Sequence, residues 1–160
     1  MEVWMKITLE KVNRSDRVVF ENLFQLFAYD FSELMGMDIC DDGKYPELND
    51  MEDYYSKPNY CSYFVKVDGK LAGVAVIRFD EETNYFRHFF VIRKYRRMKV
   101  GKDSVHMIFK LHPGKWRVTS FDFNKLAILF WKNVFDIYTE GNYITRRRND
   151  NKGPEFVFNY

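Results

Sequence analysis

The chain has 160 residues, a formal net charge of +2, and a composition that is 46% hydrophobic and 19% aromatic. So many bulky apolar residues exclude a disordered chain, and the length favours one domain over residues 1–160. No apolar run approaches the ~18 residues of a membrane span, and the opening six residues are charged rather than signal-like. We therefore expect a cytoplasmic protein without a membrane partner. The two cysteines and three histidines offer no metal-ligand spacing.

Hydrophobic periodicity predicts the elements in chain order. Alternation over Val3–Val12 predicts a strand, and apolar residues at helical spacing predict a helix over 16–35 that ends at Gly36. A long acidic connection follows, with a short helix predicted at 50–56. An Asp-Gly pair then joins two strands, which is a strong hairpin signal. The remaining predicted elements are strands Tyr60–Val67, Lys70–Phe79 and 84–92, a helix from the basic turn to His112, a strand over 116–121, a helix from Asn124, and a hairpin of 142–148 with 155–158.

The order of these elements predicts the fold class. About seven strands, most of them neighbours along the chain, are interrupted by helices long enough to cover both faces of one sheet. We therefore predict an α/β (α+β) fold with a mixed, mostly antiparallel central sheet and helices on both faces.

Six basic residues lie within ten positions where an apolar strand passes into a helix. A helix N-terminus presents unpaired backbone N–H groups and a partial positive charge, so phosphate binds there readily. Gly101 lets the backbone approach such a ligand closely. The cluster predicts an anion site, and the alternative is a solvated basic turn without a ligand. Its members are Arg93, Lys94, Arg96, Arg97, Lys99 and Lys102.

Two motifs resemble those of the GNAT superfamily of acetyl-CoA-dependent N-acetyltransferases. Arg96-Arg97-Met98-Lys99-Val100-Gly101 is similar to the family's Arg/Gln-x-x-Gly-x-Gly/Ala pyrophosphate loop. Downstream, Asn124-Lys125-Leu126-Ala127-Ile128-Leu129-Phe130-Trp131 resembles its Asn-x-x-Ala-x-x-Phe/Leu-Tyr segment at the start of the fourth helix. Each motif is weak alone, but their order, their spacing and the predicted elements that carry them agree with the family fold.

The resemblance implies acetyl-CoA as acyl donor and direct attack on its thioester by a bound primary amine. The pyrophosphate would lie on the N–H groups of 97–102, and the pantetheine arm would run beside Val91, where the fourth and fifth strands splay. A backbone N–H near Val91 would polarise the thioester carbonyl, as an oxyanion hole does. Asn124 would bond a pantetheine amide. The implied cofactor-binding residues are Val91, Arg96, Arg97, Lys99, Val100, Gly101, Lys102 and Asn124.

The chain departs from the family pattern at two positions. Lys99 replaces the first loop glycine, and Trp131 stands where many relatives have the tyrosine that protonates the leaving thiolate. An indole cannot act as that acid. His88 titrates in the range that a general base needs, and Tyr138 could supply the acid. Tyr85 aligns with the carboxylate base of some relatives. Tyrosine is a poor base, however, and packing roles are the alternative for His88 and Tyr138.

The implied acceptor is a small-molecule or peptide amine of unidentified structure. The segment 38–53 carries seven acids and one lysine, which predicts a cationic acceptor such as a polyamine. The alternative is a solvated loop. The basic run 146–148 is typical of a solvated hairpin tip, so we expect no nucleic-acid partner, and we expect a monomer or homodimer. The second functional hypothesis, raised by Lys99 and Trp131, is a GNAT-fold module that binds CoA or a partner as a sensor without turnover.

Overall fold

The computed structural model describes residues 4–160, so Val3, the start of the first predicted strand, lies outside the described residues. That strand begins only at Ile7, because its partner strand ends at the Asp68 turn and the Lys6 amide bonds to the Asp68 side chain instead. The helix predicted at 50–56 is likewise shorter. The elements are β1 Ile7–Lys11, α1 Arg17–Met35, α2 Asp53–Ser56, β2 Tyr60–Val67, β3 Lys70–Asp80, β4 Thr83–Val91, α3 Val100–Leu111, β5 Lys115–Thr119, α4 Lys125–Tyr138, β6 Ile144–Arg147 and β7 Pro154–Asn159.

The seven strands form one sheet in the order β1-β2-β3-β4-β5-β7-β6. Within the described residues β4 and β5 form the one parallel pair, and the other neighbours are antiparallel. The predicted fold class is therefore confirmed. The β2–β3 hairpin turns at Asp68 and Gly69, whose φ angles of 50° and 78° give the twist that suits a two-residue hairpin.

Helices cover both faces of the sheet, as the apolar patterns predict. The α1 and α2 helices pack on one face, where Phe20 is fully buried and Phe24 nearly so, against Val74 and Val76 of β3. The α3 and α4 helices pack on the other face, where Phe109 is also fully buried. Burying one such ring stabilises the fold by about 1.5–3 kcal/mol. No helix in the described part of the chain is long and apolar enough to cross a membrane.

The strands β4 and β5 separate soon after they meet, which leaves a V-shaped opening in the sheet. Their pairing ends at Tyr85 opposite Arg117, whereas β4 continues to Val91. One extra residue, Arg87, interrupts the β3–β4 register at this point. Because carboxyl ends of parallel strands lie at the same edge of a sheet, the turns into α3 and α4 both lie at the open end of the V.

Candidate active site

The turn before α3 has the backbone shape of an anion-binding loop. Arg97 and Lys99 both adopt the left-handed region, with φ of 61° and 63°. Lys99 thus keeps the conformation that a glycine would adopt easily, at a cost of roughly 1–2 kcal/mol for a residue with a side chain. A left-handed residue next to a right-handed one, as Lys99 is next to Val100 at the start of α3, turns successive N–H groups toward one side. The Lys99 side chain is exposed.

The backbone amides of 97–102 are available to a ligand. The first helical hydrogen bond of α3 runs from the Asp103 amide to the Lys99 carbonyl at 2.9 Å. Within residues 4–160 none of the six amides before Asp103 donates to a protein acceptor. Val100 is fully buried and anchors the helix start, while Arg97 is exposed and Lys102 is half-exposed beside it. The arrangement can hold a phosphate with backbone donors and flanking cations.

Arg96 is held by the protein itself. Its Nη1 and Nη2 donate to the Asp30 carboxylate of α1 at 3.3 and 2.8 Å, and its Nε donates to the Val91 carbonyl at 2.8 Å. Burial alone would raise the pKa of Asp30, but hydrogen bonds from Arg96 and Arg93 lower it on balance. Arg96 therefore fastens the turn to α1, and its contact with a pyrophosphate stays a prediction.

The edge of β4 that faces the V offers unpaired backbone groups. The Ile92 amide donates to the Ala72 carbonyl in β3 at 2.8 Å. Because neighbouring residues in a strand direct their N–H and C=O groups to opposite sides, those of Val91 face the V. Arg96 occupies the Val91 carbonyl, which leaves the Val91 N–H directed into the opening.

Gly101 and Asn124, near the starts of α3 and α4, both lie at the open end of the V. Asn124 caps α4 by accepting from the Ala127 amide at 3.2 Å, which leaves its side-chain NH₂ as a donor. A methyl group on Gly101 would lie 3.3 Å from the Phe130 ring, which itself stacks on Phe89 of β4. Gly101 therefore serves this packing as well as the approach of a ligand.

His88 forms a hydrogen-bonded chain with Tyr54 and Asp50. The Tyr54 hydroxyl donates to Asp50 at 2.7 Å and lies 2.9 Å from His88 Nε2. Since the hydroxyl has one proton and the carboxylate only accepts, Nε2 must carry the His88 proton. Burial, then the charge of Arg87, lowers the pKa of His88 to about 3. Burial would raise the pKa of Asp50, but hydrogen bonds and the charge of Arg87 lower it overall. Because the pKa of His88 is so low, its imidazole is neutral at physiological pH.

The candidate acid Tyr138, and Trp131 at the family's tyrosine position, lie apart from the hydrogen-bonded chain of His88, Tyr54 and Asp50. Tyr138 faces α3, where its ring stacks on His106 with centroids 3.9 Å apart and its hydroxyl lies 3.4 Å from Asp103. Burial, followed by the charge of Asp103, raises the pKa of Tyr138, so the phenol keeps its proton. Trp131 is buried between Phe86 and Phe135 and packs as a core residue. These contacts do not assign Tyr138 to the thiolate, and that role stays a prediction.

A polar pocket of about 320 Å³ lies at the apex of the V, on the face that α1 and α2 partly cover. Tyr85 lies beside it, with its ring between the guanidinium groups of Arg78 and Arg117 at 4.8 and 4.5 Å. The Tyr85 hydroxyl forms a hydrogen bond with the hydroxyl of Thr119, the last residue of β5, at an oxygen–oxygen distance of 2.8 Å. Tyr85 is thus fixed by its neighbours and is not positioned as a free base. The charged residues around the pocket are Asp50, Arg78, Arg87, Arg117, Arg148, Asp150 and Glu155.

Sequence inspection missed this arginine-rich pocket. Charged residues within predicted strands are expected on a solvated face. In the structure Glu155 of β7 is instead only 6% exposed. Glu155 accepts from Arg117 at 3.0 Å and from Arg146. A buried acid needs such partners. Which arginines supply them depends on strand order, and the sequence alone does not give that order.

The acidic segment 38–53 is partly neutralised by bases outside it. Glu52 pairs with Arg14 at 2.8 Å, and Asp50 pairs with Arg87 at 3.2 Å. Asp53 pairs with Lys57 at 2.9 Å. The segment reaches the pocket through Asp50, whose partner there is an arginine. The negative charge counted from the sequence is therefore smaller at the pocket than predicted.

Comparisons with known proteins agree with this geometry. The model of the acetyltransferase (GNAT) family matches residues 21–135. The uncharacterized protein YrkN of Bacillus subtilis (strain 168) is 30% identical over 145 residues, which cover 84% of this chain and 77% of that protein. An acetyltransferase from Thermus thermophilus has a similar structure, with a TM-score of 0.74 at 13% identity and 97% of each chain covered. The PaiA N-acetyltransferase from Thermoplasma acidophilum, in complex with coenzyme A, has a TM-score of 0.63 at 12% identity, covering 97% of this chain and 99% of that one. The family model spans most of the chain and the folds agree, so this protein belongs to the GNAT acetyltransferase family.

Proposed function

We propose that this protein transfers an acetyl group from acetyl-CoA to a primary amine by direct attack. Family membership supports acyl-CoA-dependent acetyl transfer in general. The observation that carries the proposal is the V between β4 and β5, with the six available amides of 97–102 at its open end. The bound coenzyme A in the PaiA N-acetyltransferase supports the choice of donor.

The proposed donor site uses backbone groups first and side chains second. The pyrophosphate binds the amides of 97–102, with Arg97, Lys99 and Lys102 as flanking cations. The pantetheine arm follows the open edge of β4, the Asn124 side chain donates to one of its amides, and the Val91 N–H polarises the thioester carbonyl. The amine nitrogen bonds to the carbonyl carbon, the C–S bond breaks, and CoA leaves as a thiolate.

The proton lost by the amine needs a path, and His88 is the proposed first acceptor. A proton received at Nδ1 allows the Nε2 proton to pass to Tyr54, and the Tyr54 proton to pass to Asp50. Asp50 lines the pocket and can release the proton to solvent. The low pKa of His88 makes the imidazolium a transient state rather than a resting one. Tyr138 remains the proposed donor of a proton to the thiolate.

Acetyl-CoA should stabilise the protein against thermal unfolding. A ligand at 100 times its Kd adds about 2.7 kcal/mol to the free energy of unfolding, and so raises Tm. Thermal melts with acetyl-CoA measure the binding, and release of CoA thiol with a panel of amines measures turnover. Absence of any Tm shift at millimolar acetyl-CoA would rule out the donor site. Binding without turnover of any amine would instead favour the sensor hypothesis.

Arg97→Ala should weaken acetyl-CoA binding at least ten-fold while the fold stays intact. One charge-assisted hydrogen bond to phosphate contributes roughly 1.5–3 kcal/mol, and Arg97 is exposed in the turn. The matched control is Arg93→Ala. It removes a cation from the same turn, but the Arg93 guanidinium pairs with Asp30 at 2.9 Å. Titration calorimetry compares the two. Equal losses of affinity in both variants would indicate a general effect of charge and contradict the placement of Arg97.

A further inference from the structure

We infer that the acceptor is a small amine that also carries a carboxylate, such as an amino acid, and that the arginine-rich pocket at the apex of the V binds this carboxylate. The inference rests on the proposed function and deepens it by naming the substrate class. It departs from the cationic acceptor that the acidic segment predicts.

The pocket is at the place where an acceptor must bind. Tyr85 is the last β4 residue paired with β5, and Thr119 ends β5 directly across from the opening. Arg87 and Thr119 line the pocket at the point where the strands part. A thioester that follows the open edge of β4 would therefore end beside this pocket. Its volume of about 320 Å³ suits a small molecule.

The acids of the pocket already have partners at both oxygens. Asp50 accepts from Tyr54 at one oxygen and from Arg87 at the other. Glu155 accepts from Arg117 and Arg146 at separate oxygens. Asp150 accepts from Arg148 and from the Lys152 amide. Each of these carboxylate oxygens therefore already accepts a hydrogen bond from the protein, and an arginine partly compensates the charge of each acid before an ammonium group arrives.

The arginines of the pocket keep unengaged donors. Each guanidinium has five N–H groups. Arg87 donates through Nε and Nη2, which leaves the two N–H groups of Nη1 without a protein acceptor in the described chain. Arg117 donates through Nη1 and Nη2, which leaves its Nε. Spare donors with positive charge bind a carboxylate, and the planar fork of arginine suits it particularly well.

The charge of the lining also suits a carboxylate. Four arginines face three acids, so the lining has a formal charge of +1, which one bound carboxylate balances. A polyamine would bring further positive charge against four guanidinium groups. The ten lining residues all carry polar groups, so the pocket offers few apolar contacts to the ring of an arylalkylamine.

The test compares amino acids with their own carboxamides, which differ only in the charge of the acid group. With saturating acetyl-CoA, kcat/KM from thiol release should be at least ten-fold higher for glycine, threonine or glutamate than for the matching α-carboxamide or for spermidine. In Arg87→Gln the carboxylate-over-carboxamide ratio should fall at least ten-fold. Arg148→Gln gives a second test should Arg87→Gln fail to fold. Arg14→Gln, which breaks an exposed ion pair with Glu52 away from the pocket, is the control.

The outcomes separate this inference from the proposed function. If acetyl-CoA does not bind, the proposed function falls and the inference falls with it. If acetyl-CoA binds but the carboxamides or spermidine react faster, only the inference is overturned. It is also overturned if no amino acid in the set reacts, or if none shows saturable binding to the CoA complex by calorimetry.

Discussion

Replacing His88 by glutamine should make the free energy of unfolding less dependent on pH under acidic conditions. The pKa of His88 is lowered to about 3 in the folded chain from an ordinary value of 6.5, chiefly by burial. A group with a lower folded pKa binds fewer protons in the native state, so stability rises with pH between the two values and is lost on acidification. Between pH 6.5 and 4.5 the wild type should lose about 2 kcal/mol more than His88→Gln. Urea unfolding at each pH measures the difference.

Within this window the difference between the two proteins isolates His88, because His106 and His112, whose pKa values are also lowered, contribute equally to both. The carboxylates with lowered pKa values, such as Asp30, Asp50 and Asp80, titrate below it. His106→Gln is the matched control, because the pKa of His106 is also lowered by burial, but this residue lies on α3, away from the chain of Tyr54 and Asp50. Parallel curves for wild type and His88→Gln would show that His88 is not held neutral by the fold.

The same variant tests the proposed catalytic role. General bases typically contribute 10²–10⁴-fold to the rate, so kcat at pH 7.5 should fall about 100-fold or more in His88→Gln. A packing role alone would lower stability and leave kcat near the wild-type value. His88 packs edge-on against Phe24 and Phe27, so both readouts are needed.

The fold was predictable because its signals are local. The β-rich run before Asp68–Gly69 predicted a strand over Tyr60–Val67, which are the observed bounds of β2, and the turn predicted its pairing with β3. The resemblance of the two motifs to the family also implied the splay of the fourth and fifth strands. The predicted start of β1 was wrong because it depends on where the partner strand ends, which is tertiary information.

The candidate site was predictable only where backbone groups form it. Amides at a helix start follow from the motif and its element, and the structure leaves those of 97–102 available. Side-chain partners depend on elements far apart in the chain. Arg96 is 66 residues from Asp30, and Arg87 is 37 residues from Asp50. The sequence therefore indicated a basic loop and an acidic segment but could not show which charges neutralise each other.

Gly73→Ala should strongly destabilise the sheet beside the proposed donor site. Gly73 in β3 pairs with Val91 of β4, and an added methyl would lie 2.1 Å from the Phe90 carbonyl oxygen and 3.1 Å from the Val91 Cα. Both are backbone atoms, so no side-chain rotation can relieve the overlap. The strands must separate, at a cost of about 3 kcal/mol or more in the free energy of unfolding. Urea unfolding at pH 7 measures it.

The loss should extend to the donor site, because the atoms that move carry the proposed oxyanion donor. A shift of β4 at Val91 displaces its N–H and the carbonyl that Arg96 holds, so acetyl-CoA should raise Tm less than in wild type. Gly43→Ala is the matched control, since its methyl meets nothing within 4 Å and its φ of 78° alone costs about 1 kcal/mol. If Gly73→Ala were no less stable than Gly43→Ala, β3 and β4 would not approach as closely as the structure shows, and the position of Val91 beside the V would have to be revised.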